Sequence, residues 1–170
     1  MITHNVKADP GPETTSEGNN AELVRRCFEV VWNQGDLDAV DDFFGEDFAN
    51  FGHRGADARG LIRAIVSAWR AAFPDLRFDI EEEIVDGDAV VHRMTCRGTH
   101  AGRFEHPAVG VLEPTGRAFA VDHIHINRVR EGRIVQHWGT RNDLAMLQQL
   151  GAVATPSRAG SIRSSGGWQR

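Results

Sequence analysis

The sequence contains no tyrosine and a single lysine, Lys7. Tyrosyl acid or base chemistry is therefore excluded. A Schiff-base amine would have to be Lys7, in a polar stretch with nothing apolar to strip water from it. Cysteine is nearly absent too: Cys27 and Cys96 each sit inside an apolar pattern. They read as small buried hydrophobes, not as a disulfide framework or a thiolate metal site. No run reaches the ~18 apolar residues of a membrane span, and residues 1–20 lack the apolar stretch of a secretion signal. No membrane partner is expected, and the expected location is cytoplasmic. Positive charge is in deficit, with 19 Lys and Arg against 24 Asp and Glu. That argues against nucleic acid, whose phosphates call for a clustered positive surface.

Histidine, by contrast, is plentiful, with eight copies. Its charge changes near neutral pH. With Asp and Glu it is what remains for proton transfer. At 170 residues the chain has room for one domain. Residues 1–20 are polar, with Pro10, Gly11 and Pro12, and are expected to form a disordered tail. Residues 152–170 are rich in Ser, Gly and Arg, with Trp168 as an isolated aromatic, and read as a flexible tail. The folded domain is expected over 21–151.

Within it the apolar period changes once. Asn19 and Glu22 have capping-box spacing, and Leu23, Val24, Cys27, Phe28 and Val31 then recur at helical spacing as far as Trp32. Asp36 can cap a short second helix, DLDAVDDFF. Asp57 can cap a third, whose stripe of Leu61, Ile62, Ile65, Val66, Trp69 and Phe73 stops at Pro74. Beyond Pro74 the period becomes two. Strands are expected over 76–85, 89–100, 119–129 and 133–139, with Asp86-Gly87 as a hairpin turn and a short helix over 142–150. Helices followed by a strand meander make an α+β class, with a pocket where the sheet and helices diverge.

Several ordered strings carry a resemblance: VWNQGDLDAVDDFFGEDF (31–48), AFPDLRF (72–78), RGTHAG (97–102), PTGR (114–117), INRVREGRIVQHWG (126–139) and LQQLG (147–151). In this set the chain resembles the SnoaL-like polyketide cyclases of the NTF2-like superfamily. The resemblance implies an α+β cone, a curved antiparallel sheet wrapped over three N-terminal helices around an internal pocket. It also implies a homodimer and ring closure by an intramolecular aldol reaction without metal or organic cofactor. Carried over residue by residue, the pocket histidines are matched by His100, His125 and His137, and a pocket Asn by Asn50. The strand acid of the founding cyclases falls on Gly139, and the acid early in the closing helix falls on Asn142.

Strand parity puts His123, His125 and Asn127 on one face of the third strand, and Val135, His137 and Gly139 together on the fourth. Both faces of the third strand hold apolar residues, so parity alone does not choose the inner one. The resemblance selects the face of His125. His92, His100, His123, His125 and His137 would then line one wall. The expected catalytic residues are His125 and His137, with Trp32, Asn50, His100 and His123 binding a polyketide-like or other hydrophobic oxygenated substrate. The activity expected is that of a cofactor-independent cyclase or isomerase. Two alternatives stand beside it: a non-catalytic binding module, because Gly139 and Asn142 replace acids, and a His-ligated metal site on His123, His125 and His137. Glu105, His106 and Glu113 lie in a long loop, 101–116, read either as a solvated insertion or as a lid that supplies an acid. Glu81-Glu82-Glu83 is expected to place one or two acids in water. His53 is read as a rim or exposed residue. Ile124 and Ile126 are candidates for a dimer surface on the outer sheet face.

Overall fold

A computed structural model describes residues 16–50 and 52–155. Helix α1 (Ser16–Cys27) begins before the Asn19–Glu22 pair, which is therefore not its cap. Its first turns are held by the tip of a distant hairpin. The Glu17 carboxylate accepts from the Gly87 amide at 2.9 Å, and the Asn20 side chain donates to the Gly87 carbonyl at 3.2 Å. Residues 16–20, expected in the tail, thus belong to the folded unit. The rest of that tail, and Trp168 of the other, lie outside the described residues.

After Cys27 the helix widens into a π-helical segment, Phe28–Asn33. Its terminal carbonyls are satisfied by Arg70, which donates to Asn33 at 2.7 Å and to Trp32 at 3.2 Å. The Asn33 side chain imitates a strand partner, accepting from the Phe78 amide at 2.8 Å and donating to its carbonyl at 3.2 Å. This clamps the segment onto β3 (Arg77–Asp86), whose open edge it partly covers. Phe28 and Trp32 consequently lie against Phe78 on the inner face of the sheet.

The second helix is shorter than its sequence pattern. The Asp36 carboxylate accepts from the amides of Asp38 and Ala39, the expected start signal. Yet α2 covers only Val40–Phe43, and strand β1 (Phe44–Asn50) follows at once. Phe44 and Phe48, four apart, fit either period; in the strand their rings pack at 4.5 Å. The edge strand β2 (His53–Arg54) leaves His53 exposed. Helix α3 (Gly55–Ala72) starts at Gly55, with Asp57 inside its first turn rather than capping it. It buries Ala58, Ile62, Val66, Trp69 and Ala72.

Strands β3, β4 (Ala89–Thr99), β7 (Ala118–Arg130) and β8 (Arg133–Arg141) form the expected meander. The order β2-β1-β8-β7-β4-β3 describes an open, curved sheet, not a closed barrel. One pairing departs from the all-antiparallel expectation: β1 runs parallel to β8. Such pairing joins residues more than eighty positions apart and leaves no local turn signal.

Loop 101–116 contains a small hairpin, β5 (Phe104–His106) and β6 (Gly110–Leu112). It docks on the end of α3, where Phe104 meets Phe73 and Trp69 with ring centroids 5.0 and 5.5 Å away. The amides of Ala101 and Gly102 both donate to the Ala72 carbonyl. Helix α4 (Asp143–Leu150) is capped by Asn142, whose side-chain oxygen accepts from Ala145. A Cβ on Gly102 would stand 2.0 Å from the Ala71 carbonyl oxygen. Gly102→Ala should therefore cost about 1–3 kcal/mol by forcing backbone apart. The midpoint of urea unfolding checks this, and an unchanged midpoint would contradict the tight docking.

Candidate active site

Alternation along β7 is complete: Phe119, Val121, His123, His125, Asn127 and Val129 are buried, and Asp122, Ile124 and Ile126 are exposed. The histidine face is thus the inner face, as the resemblance implied. His125 sits between His92 on β4 and Gly139 on β8, its register partners on either side. Asn127 faces His137 in the same ladder, and His137 is also the register partner of Asn50 on β1. Asn50 is the last residue of that strand and is buried.

These registers build a line of three side chains. Asn50 Oδ1 lies 2.9 Å from His137 Nδ1, and His137 Nε2 lies 3.0 Å from His125 Nδ1. The direction of donation follows from the first link. A carbonyl oxygen only accepts, so His137 donates from Nδ1 and carries its lone pair on Nε2. His125 then donates from Nδ1, which leaves the lone pair on its Nε2. That atom is buried without a hydrogen-bond partner.

Gly139 is what permits this contact. A Cβ there would lie 3.0 Å from His125 Nδ1 and 3.3–3.4 Å from carbons of both imidazoles. An aspartate at this position would crowd the stacked histidine pair, 5.3 Å apart and 18° from parallel. The position that reads as a lost acid is the clearance beside two imidazoles.

Removal from water pushes His137 down to about 4. His137 keeps some exposure as a residue, but both ring nitrogens are turned inward, so burial of the charged form dominates. His125 lies well below the ordinary imidazole range, first through burial and then through its histidine neighbours. Phe28 and Phe78 present edges to it, at 5.1 and 6.0 Å. His123 is pushed down to about 4 by burial and by the charge of Arg141. Neither of its nitrogens has a hydrogen-bond partner. Unpartnered buried groups of this kind cost ~1–3 kcal/mol each. They concentrate around His123, His125, Asn50 and Asn127, which makes this wall the candidate site.

The remaining expected residues separate. Trp32 borders the histidines: it lines a small inner chamber of about 30 Å³ with Phe78, Trp69, His123 and His125. His100 is eight positions along from His92, past the end of β4. It hydrogen-bonds Thr115 and packs on Phe73, so the structure does not bring it to the His125 line. His125 and His137 point their nitrogens at each other rather than at a shared centre. Among the described residues no group of three or more His, Cys, Asp or Glu could hold a metal ion.

Two groups were not legible as site residues. Glu83 faces inward: a bulge between Ile80 and Glu82 shifts the β3 parity and sets Glu83 opposite His92. It bonds His92 Nε2 at 2.7 Å and Arg25 at 2.6 Å. Burial pushes its pKa up, but those two partners outweigh it, and its carboxyl stays below the ordinary range. The second group is Arg141 with Asp143, at 3.0 Å, in the wall of an outer groove of about 1020 Å³. Trp69, Glu105 and His106 line the same groove. Glu113 instead stands exposed, 4.0 Å from Arg103.

The buried imidazoles carry a pH signature. His123 and His137 titrate near 4 in the native state against an ordinary 6.5. Between these values the unfolded chain binds more protons, so stability rises with pH. Their contribution is complete above 6.5 and is lost as pH falls toward 4. Urea midpoints should be level above pH 7 and fall steeply below 6.5. An equal midpoint at pH 4.5 would contradict the burial of neutral rings.

Comparison with known proteins agrees with this scaffold. The family model described as SnoaL-like polyketide cyclase matches residues 22–150. Aklanonic acid methyl ester cyclase DnrD of Streptomyces peucetius is 31% identical over 136 residues, covering 76% of this chain and 89% of DnrD. Aklanonic acid methyl ester cyclase DauD of Streptomyces sp. (strain C5) is 29% identical over 140 residues, covering 76% of this chain and 80% of DauD. The structure of TsrD from Streptomyces laurentii superposes with a TM-score of 0.69 at 26% identity, covering 82% of this chain and 99% of TsrD. With its helices, its open curved sheet and its inward histidine face, the chain belongs to the SnoaL-like polyketide cyclase family.

Proposed function

We propose that the protein is a cofactor-independent cyclase or isomerase acting on a polyketide-like or other hydrophobic oxygenated molecule, with His125 as its base. The observation that supports this most is the Asn50–His137–His125 line, which ends on an unpartnered, buried Nε2. The relatives DnrD and DauD are named aklanonic acid methyl ester cyclases, and the matching family model is described as SnoaL-like polyketide cyclase, which supports the substrate class.

In this reading His125 Nε2 takes a proton from carbon next to a carbonyl, leaving an enolate. The imidazolium charge is shared through Nδ1–H to His137, whose own Nδ1–H rests on Asn50 Oδ1. A neutral buried ring is a weak base toward water. The enolate forming beside it stabilises the imidazolium, so the cost of burial falls as the reaction proceeds. The enolate carbon attacks a second carbonyl, and the proton held by His125 passes to the new alkoxide, closing the cycle with no net proton gained. In the isomerase case it returns to a different carbon. Trp32 and His123 would border the reacting part of the substrate, and His100 the far end of the sheet.

His125→Ala and His137→Ala should fold yet lose turnover by roughly 10²-fold or more, the size of a positioned acid or base. Steady-state rates on aklanonic acid methyl ester, or on the substrate found by product analysis, check it. Wild-type rates in both variants would remove the assignment and favour a binding role for the pocket.

The homodimer is proposed through the outer face. Ile84, Val91, Ile126 and Trp138 stand in one register row across β3, β4, β7 and β8. Ile84 and Trp138 are 57% and 49% exposed, unusual for side chains of this size. Light scattering should give a dimer at micromolar concentration, and Trp138→Glu should give a monomer with the same helix content. A wild-type monomer would overturn this.

A further inference from the structure

The inner chamber at His123 and His125 holds about 30 Å³, room for little more than one water. The outer groove holds about 1020 Å³, enough for a multi-ring molecule. The two share three lining residues, Ile65, Trp69 and Arg141. A substrate seated in the groove reaches His125 only if this wall gives way. Ile65 and Trp69 belong to the stripe of α3 packed against the core. Arg141 ends β8 and remains 37% exposed at its side chain.

Arg141 is poised between two settings. Its guanidinium lies 5.5 Å over the Trp69 ring and 3.0 Å from Asp143. In the ladder it is the register partner of His123, the buried imidazole with neither nitrogen hydrogen-bonded. Half-exposed ion pairs are weak enough to be exchanged for a better-placed anion. Guanidinium presents a fork of donors suited to oxygen anions. Asp143 is not left stranded by the exchange, because His106 Nε2 stands 3.5 Å from it. The Ala108 amide donates to His106 Nδ1, which leaves the proton on Nε2, facing Asp143.

Resting on the cyclase or isomerase reading, we propose that Arg141 closes the passage from groove to chamber and, on release from Asp143, binds the enolate oxygen of the substrate. The residue thereby selects ligands that present an enolic oxygen to the histidine wall. Asp143 and His106 hold the closed setting. Arg141 supplies the positive charge that the neutral imidazoles lack, and the Trp69 ring it leaves becomes a face for the substrate's rings.

The test uses two probes of equal shape. 2-Hydroxy-1,4-naphthoquinone is an enolate at pH 7, and 2-methoxy-1,4-naphthoquinone is its neutral ether. Binding is read by quenching of tryptophan fluorescence and by calorimetry on the full chain. Wild type should bind the hydroxy compound at least about tenfold more tightly, the difference expected where a buried partner is present or absent. Arg141→Gln should bring the two within about twofold without weakening the ether. Asp143→Asn, which unlatches Arg141, should strengthen hydroxyquinone binding several-fold. Equal affinities in wild type, a preference that survives Arg141→Gln, or no binding of either probe would each overturn the inference. The base assignment fails separately. Discrimination through Arg141 together with wild-type turnover in His125→Ala would uphold this inference and remove that one.

Discussion

The hydrogen bond between His125 and His137 forms beside Gly139, whose missing side chain leaves the rings room. The two imidazoles come from adjacent strands and pack within 3.0–3.4 Å of where a Cβ would stand. Asn50 then orients the outer ring, and the direction of every proton along the line follows from its carbonyl. A Cβ at Gly139 would press on both rings, which would have to give by a few tenths of an ångström to keep this arrangement.

The rest of the fold supplies what that line needs. The parallel pairing of β1 with β8 carries Asn50 to His137. The π-helical segment, fastened by Arg70 and Asn33, brings Phe28 over His125 and Trp32 over Phe78. Burial among these rings keeps the imidazoles neutral, the state in which an imidazole accepts a proton. The cost of leaving several nitrogens unpartnered is offset by the aromatic surface buried around them.

Within the family, the scaffold constrains the pocket more than it constrains the chemistry. Here the strand acid has given way to glycine, and the acid position of the closing helix is Asn142, which caps α4. Carboxylates enter from elsewhere: Glu83 reaches His92 from an edge strand, and Asp143 reaches the outer groove beside Arg141. An inner histidine wall and an outer mixed-charge groove meet at Trp69 and Arg141. The groove is wide and mixed in charge, and the chamber is narrow and walled by imidazoles held below their ordinary range.

By itself the sequence determined the strand meander, the third helix, the closing helix and the candidates His125, His137 and Asn50. Those depend on local period, caps and turns, and on ordered strings along one chain. Parity grouped His123 with His125 but left open which face was inward. It placed one or two acids of Glu81-Glu82-Glu83 in water, as Glu81 and Glu82 are, but did not single out Glu83, because a bulge shifts parity and no residue type announces it. Strand β1 was not read from the sequence: the expected second helix ran through its first residue, Phe44, and the strand partner that fixes it is more than eighty residues away. His100 appeared equivalent to the other histidines, and only its distance along β4 separates it. Gly139 read as a loss. Only the tertiary structure, by bringing two imidazoles within 3.0–3.4 Å of where its Cβ would stand, made it clearance beside the histidine pair.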